Sequence, residues 1–514
     1  MRGASPPPIL AFGNAAIMSA HSPAVASPAP LDHAAVRSII IGIMLAMLLA
    51  ALDQTIVATA LPTIGRELGD VEHLSWVVSA YLLAATAVTP LYGKFSDIHG
   101  RRISLLVSIS VFVVGSVACA LAPTMLVLVL ARGLQGLGGG GLISLAQTII
   151  ADVVSPKERG RYQGYIASVF VTSSVVGPVL GGLFADHLHW SVIFWINLPL
   201  GLGAFWMVWD VLRRLPRHDR KHRLDVLGAV LMVGATVAAM LALTWGGAGT
   251  YPWGSAEVLG LFAVSLVLWV LFAIRLLTAE EPLIPLAVMF NPVVGTGTAA
   301  AFCVMGGFIG LSIYVPVYLE GVIGLSASNS GLALMPLMAG TVTGANIAGR
   351  FMARIAHYKR TPLVGLVVAT AALVGFALHP AGLPLWLVEV LLAAIGLGLG
   401  TVLPVTTISI QNAVAMHQLG TATACMNFFR SLGSAIVVAG FGAIVLGAIG
   451  GRGRSAENLG ELTPAMRDGL VGAFHWLFLA AAVGLALGFV WLLLMEERPL
   501  RSGAAAHAKE ALVE

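Results

Sequence analysis

The chain has 514 residues, 58% of them apolar and only 10% charged, with a mean hydropathy of +0.92. A soluble domain carries roughly a quarter charged residues, so a water-solvated core is excluded and a lipid bilayer is the solvent that fits. The net charge is only +4, and its distribution along the chain says more than its sum.

Residues 1–36, rich in Pro, Ala and Ser, predict a disordered arm with no secretory signal ahead of the first span, and Met18 is an alternative start. A helix needs about 20 apolar residues to cross the hydrocarbon core. Runs of that kind predict spans near 37–61, 75–93, 103–122, 125–150, 162–185, 191–211, 225–246, 256–277, 293–319, 329–349, 362–379, 384–410, 422–449 and 472–494. These fourteen continuous runs exclude an outer-membrane barrel, whose strands alternate in short segments. The expectation is an all-α polytopic protein of the cytoplasmic (inner) membrane.

Cations set the orientation. With the amino terminus in the cytoplasm, 22 of the 28 Lys and Arg fall on that side, four (Arg66, Arg452, Arg454, Arg467) fall outside, and Arg132 and Arg430 lie within spans. An odd number of spans would scramble this asymmetry, so both termini are expected in the cytoplasm. The basic run Arg213 to Arg223 reads as a cytoplasmic loop at 213–224 and not as a nucleic-acid site.

In chain order, the first motif is Leu52-Asp53-Gln54-Thr55 in span 1. Asp53 is the carboxylate well inside the spans of the first half. Desolvation favours the neutral form of an acid, which suits a site that loads and releases protons; a structural partner for another polar group is the alternative. After span 2 comes Gly93-Lys94-Phe95-Ser96-Asp97-Ile98-His99-Gly100-Arg101-Arg102. Gly93 and Gly100 allow tight turns and close approach. Asp97 pairs with Arg101 or caps a neighbouring helix at its positive end, a latch able to hold one conformation and release in another.

Span 4 carries Arg132-Gly133-Leu134-Gln135-Gly136, and Arg132 and Gln135 share a helix face. An arginine at membrane depth must face protein, water or a partner; it either tunes a carboxylate or contacts substrate, the bland reading being a snorkelling interfacial side chain. Gly133, Gly136 and Gly140 predict a small-residue seam. In span 5, Gly177-Pro178 and Gly181-Gly182 predict a bend with close packing and a hinge.

Gly349-Arg350-Phe351 after span 10 repeats the opening of the loop at Gly93, at an offset of eight spans. Two six-helix bundles, 37–212 and 293–495, separated by two inserted helices at 225–278, give that offset, with a cytoplasmic tail from 496. Internal repeats of this kind mark transporters that hold substrate between two rocking halves. In the second half the intramembrane candidates are Glu389, near the outer end of span 12, and Arg430. Gln135, Met305, Phe308, Tyr314, Met335 and Arg430 are candidate cavity-lining residues. Cys119, Cys303 and Cys425 lie in apolar stretches and read as packing residues; no catalytic residue, metal set or cofactor is expected.

Taken together, these residues resemble the fourteen-span drug:proton antiporters of the major facilitator superfamily (the DHA2 group, EmrB/QacA type). The likeness covers nearly the whole chain: Leu52 to Pro62, with Ala58 where Asn is more usual; Gly93 to Arg102; Arg132, Gln135 and Gly136; Gly177, Pro178, Gly181 and Gly182; Trp190 to Pro199; and Asp225 to Gly228. The resemblance implies the major facilitator fold, alternating access, and proton antiport coupled at Asp53 and Arg132. It also implies a span 5 motif that favours export of small amphipathic compounds. Gating falls to Gly93, Asp97, Gly100, Arg101 and Arg102. Spans 10 and 13 lack the acidic residues of members that export dications, so apolar, neutral and anionic substrates gain weight.

The partners expected are a small-molecule substrate, protons, the bilayer and, as a candidate, a periplasmic adaptor protein. The alternatives are an exporter or uptake carrier of one metabolite or siderophore, and a non-transporting receptor or scaffold. The latter predicts a sizeable soluble domain. An enzyme predicts intramembrane His or carboxylate clusters, whereas the histidines here lie mostly at loops.

Overall fold

A computed structural model describes residues 33–500 apart from 71–72, 215–223, 248, 356 and 449–463. Most of the amino-terminal arm, most of the basic loop, the segment 449–463 that carries Arg452 and Arg454, and the end of the tail lie outside the described residues. The described chain is helical throughout, with 14 helices long and apolar enough to span a membrane. That is the one way such a chain satisfies its backbone in lipid short of closing a barrel.

The first half contains α1 (His33–Leu68), α2 (Leu74–His99), α3 (Arg101–Ala120), α4 (Met125–Val153), α5 (Pro156–His187) and α6 (Val192–Val211). Next come α7 (Val226–Gly247) and α8 (Ala256–Thr278). The second half contains α9 (Pro292–Tyr318), α10 (Met335–Arg354), α11 (Arg360–Leu378), α12 (Leu385–Ala413), α13 (Leu419–Ala448) and α14 (Pro464–Leu494). Several helices overrun the apolar spans read from the sequence. α1 continues through Pro62 to Leu68, and α5 starts at Pro156. Hydropathy registers only the lipid-facing middle, while the helices extend into the polar layers. α6 is broken at Ile196, just before Asn197 and Pro199, and a short helical turn (Ala327–Ala333) leads into α10.

Each half has its own core. In the first, Ile39, Ile43, Met47, Leu105, Ile109, Phe112, Leu145 and Ile149 form one apolar cluster. Ile56, Val57, Val77, Leu128, Trp190 and Phe194 form another, nearer the opposite end. Asp53 lies on α1 between them. In the second half Phe376 and Phe478 stack with centroids 4.9 Å apart, and Tyr318 packs edge-on to both and to Phe474.

The glycines of α4 are used unequally. A Cβ on Gly136 would strike the Tyr81 carbonyl of α2; on Gly140, the Ala85 carbonyl; on Gly138, the Phe112 backbone of α3. The expected seam therefore runs through Gly136 and Gly140 but not Gly133, which has open space where a side chain would go. Gly138→Val should abolish the monodisperse folded fraction on size exclusion, because overpacking against backbone costs about 1–3 kcal/mol or more. Gly133→Ala should leave that fraction unchanged; equal yields of the two variants would refute the assignment.

The inserted pair α7–α8 is stapled by Ser265 Oγ donating to the Ala235 carbonyl at 2.8 Å, and by Arg275 Nε donating to Asp225 Oδ1 at 3.0 Å. Asp225 Oδ1 also accepts the Gly228 N–H and so caps α7. The pair lies against both halves: Trp245 packs edge-on to Trp76 of α2, Gly247 abuts Ala439 of α13, and Trp269 of α8 meets Phe428 of α13.

Candidate functional site

Asp53 is fully buried, and three side chains from two other helices converge on it. Arg132 Nη1 of α4 donates to Oδ2 at 2.6 Å, Gln135 Nε2 of α4 donates to Oδ1 at 2.8 Å, and Asn197 Nδ2 of α6 donates to Oδ1 at 2.9 Å. Arg132 and Gln135 reach the same carboxylate because they stand three apart on one face. Arg132 is 1% exposed, which excludes a snorkelling role. Its Nε donates to the Val77 carbonyl at 2.9 Å, and its guanidinium lies 4.4 Å from the Tyr81 ring centre. The close approach of α2 that makes this possible is the one Gly136 permits. Gln135 also donates to Ser116 Oγ at 2.7 Å and accepts from Arg132 at 2.5 Å and from the Cys119 thiol at 3.7 Å. Gln135 is thus sealed inside this cluster and does not line an open cavity, contrary to the sequence expectation.

The cluster lacks one bond. Asn197 Oδ1 is buried with no partner. Asn197, Ser116 and Tyr81 were not singled out from sequence. The available signal was Asn197 itself, a polar residue at the break of α6 inside the otherwise apolar run Ile193 to Pro199.

A second constellation ties the halves together at the end of the bundle where α1 begins and α14 ends. Both roles expected of Asp97 occur at once. It accepts from Arg101 Nη1 at 2.5 Å, and across the halves from the Gly420 N–H at 3.0 Å, the Thr421 N–H at 2.8 Å and Thr421 Oγ1 at 2.7 Å. Gly420 and Thr421 form the first turn of α13, where N–H groups lack helical partners and the dipole favours an anion. Arg101 is held in turn by Asp152 of α4 at 2.7 Å. Gly93 faces Gly420 and Ala424 with no room for a side chain, and Gly100 takes a φ of +85° at the turn into α3. The Arg102 guanidinium lies 4.4 Å over the Trp209 ring of α6.

The repeat seen in the sequence has a structural counterpart. Gly93 of α2 packs on α13, and Gly349 of α10 packs on Gly160 of α5. Gln147 of α4 adds a further bridge, its Oε1 accepting from Asn427 at 2.9 Å and its carbonyl from Gln411 at 3.3 Å. Among the described residues, these hydrogen bonds between halves lie at the end where α1 begins and α14 ends.

In α5, Gly177 and Gly181 pack on Thr55, Ile56 and Thr59 of α1, and Thr55 Oγ1 donates to the Ser173 carbonyl at 2.8 Å. Pro178 is exposed on the same helix, and Gly182 has open space, so it makes no close packing. Met335 is half exposed, whereas Phe308 and Tyr314 pack on the core of the second half; Tyr314 donates to the Val438 carbonyl at 3.3 Å. The Met305 carbonyl accepts from Ser434 at 3.4 Å, and Glu389 is partly exposed at the start of α12. Among the described residues no group of His, Cys, Asp and Glu has the disposition to hold a metal ion.

The model of the Major Facilitator Superfamily matches residues 43–438. The chain belongs to this superfamily. Among its relatives, Multidrug resistance protein 3 of Bacillus subtilis is 34% identical over 416 residues, covering 80% of each chain. An uncharacterized MFS-type transporter of Mycobacterium tuberculosis is 35% identical over 499 residues, 93% of this chain and 72% of that protein. Efflux pump aunC of Aspergillus niger is 33% identical over 77% of each. The fold is similar to that of the human organic anion transporter MFSD10, at TM-score 0.61 and 17% identity, covering 89% of this chain and 99% of that one. It is also similar to a bacterial homologue of the iron transporter ferroportin in its outward-facing state, at TM-score 0.62 and 12% identity, covering 90% and 99%. This superfamily member is a many-span membrane transporter of small molecules, built as two six-helix bundles with two inserted helices.

Proposed function

We propose that the protein exports small amphipathic compounds in exchange for protons, by alternating access between two states of the bundle. The observation that carries this reading is the fully buried Asp53 bound to Arg132, Gln135 and Asn197. Each of these groups donates to the carboxylate, so the cluster complements an anion. A proton arriving at Asp53 cancels the ion pair and leaves Arg132 to the Val77 carbonyl, Gln135 Oε1 and the Tyr81 ring. Rotation of the Asn197 amide would offer its unpartnered oxygen to the new acid proton. Separating a buried pair costs about 3–5 kcal/mol when one member is lost, enough to bias two packings of the halves.

In this reading the end where α1 begins and α14 ends is cytoplasmic and sealed by the Asp97–α13 cap and the Gly93 and Gly160–Gly349 contacts; the conformation is outward-facing. Protons enter from outside, reach Asp53 and are released on the cytoplasmic side as cargo leaves. The relatives named as multidrug and efflux transporters support the outward direction, as does the resemblance of Gly177, Pro178, Gly181 and Gly182 to the antiporter motif. The test is expression in an efflux-deficient host against a panel of toxic dyes and drugs. Raised tolerance with lowered cellular dye is expected, and increased accumulation of the same dyes would instead establish uptake.

A further inference from the structure

The two intramembrane arginines are provisioned differently. Arg132 has a carboxylate. Arg430 on α13, only 7% exposed, makes no ion pair among the described residues. Its Nη2 donates to Thr407 Oγ1 at 2.9 Å, Thr406 Oγ1 at 3.2 Å and the Leu403 carbonyl at 3.3 Å, all on α12; its Nη1 reaches Asn427 Oδ1 at 3.5 Å. Its Nε is buried with no partner. The spanning carboxylates of this half do not answer it: Glu320 accepts from Ser330 at 2.7 Å, and Glu389 sits near the start of α12. A buried guanidinium surrounded by neutral oxygens is costly to keep, and its planar fork matches a carboxylate.

Its position gives that charge a use. Asn427, one turn from Arg430, donates to Gln147 of the first half, so this face of α13 looks toward the interface between halves. Arg430 thus stands about 5 Å beyond the last hydrogen bond of the closed end, counting 1.5 Å per helical residue. Arg132 stands roughly 22 Å beyond Gln147 on α4 by the same count, so the two cations occupy separate depths. One turn from Arg430 an apolar side chain is at hand, since Phe302 of α9 packs against Gly433.

We propose that the Arg430 guanidinium, giving up its contacts to Thr406, Thr407 and Asn427, binds the carboxylate of amphipathic organic acids, so that the cargo includes organic monoanions. This rests on the transporter reading above and adds the class of compound. A carboxylate on Arg430 competes for the group that also holds Asn427, which ties cargo binding to the contact closing the halves.

The test is equilibrium binding of 1-naphthoate and its uncharged isostere 1-naphthamide to the full chain in lipid nanodiscs. Wild type should bind naphthoate at least about tenfold more tightly, the worth of one charge-assisted bidentate contact. Arg430→Gln should erase that preference while changing naphthamide affinity less than about threefold, and Arg430→Lys should retain part of it. Equal affinities in wild type, a preference that survives Arg430→Gln, or parallel loss of both ligands in a monodisperse variant would each overturn the site. The wild-type comparison decides the matter even if the Gln variant does not fold. Binding needs no proton gradient. Failure of dye export alongside a naphthoate preference would therefore remove the transport reading and leave the site, whereas export without the preference would remove the site alone.

Discussion

Asp53→Asn yields a protein that reaches the membrane in normal amounts, binds cargo and still equilibrates it, but no longer moves it uphill. Asn keeps the shape of the carboxylate and can accept from Arg132, so the cluster between the two apolar cores of the first half stays packed. What it loses is the exchangeable proton. In proteoliposomes with a pH gradient, accumulation should fall to the level set by the cargo gradient alone, while cargo-for-cargo exchange continues. Full uphill accumulation by Asp53→Asn would remove Asp53 from the coupling step. Loss of exchange as well, with a normal elution profile, would make Asp53 a positioning residue for the whole site and not the proton carrier.

Asp97→Leu has the second largest expected effect, by a different route. The carboxylate accepts one bond from Arg101 and three from the first turn of α13. Each bond to a charged group is worth about 1.5–3 kcal/mol, and most of that is spent only when the halves meet. Removing the group should lower the population closed at this end by on the order of a hundredfold, since about 1.4 kcal/mol is tenfold. Cys425 reports this directly, because it is 6% exposed and one turn along α13 from Thr421. With Cys119 and Cys303 replaced by Ala, alkylation of Cys425 should be slow in the parent and fast in Asp97→Leu, with transport reduced about tenfold or more. Unchanged alkylation would show that other contacts, such as Gly93 on Ala424, suffice for closure.

Much of this was legible in the sequence because lipid imposes simple rules. Twenty-residue apolar runs must be helices, cations accumulate on one side, and a charge inside a span must have a reason. Asp53, Arg132 and Asp97 stood out on those grounds, and the shared face of Arg132 and Gln135 followed from their spacing. The rest depended on which helix lies opposite. Asn197 is 144 residues from Asp53, and the α13 partners of Asp97 are more than 320 residues away; helical periodicity shows a face but not its neighbour. For the same reason Gly133 looked equivalent to Gly136 and Gly182 to Gly181. In each pair one glycine meets a backbone and the other meets open space. Arg430 was visible as a cation, whereas its lack of a carboxylate partner appears only once α12 is in place.

Antiport at Asp53 requires that protons and cargo cross in opposite directions. The direct measurement loads proteoliposomes with a pH-sensitive dye and a compound shown to be exported, then follows internal pH as the compound leaves. Outward movement of cargo should acidify the lumen in wild type, with no acidification in Asp53→Asn. Cargo leaving wild-type vesicles with internal pH unchanged, or with protons moving in the same direction, would contradict it.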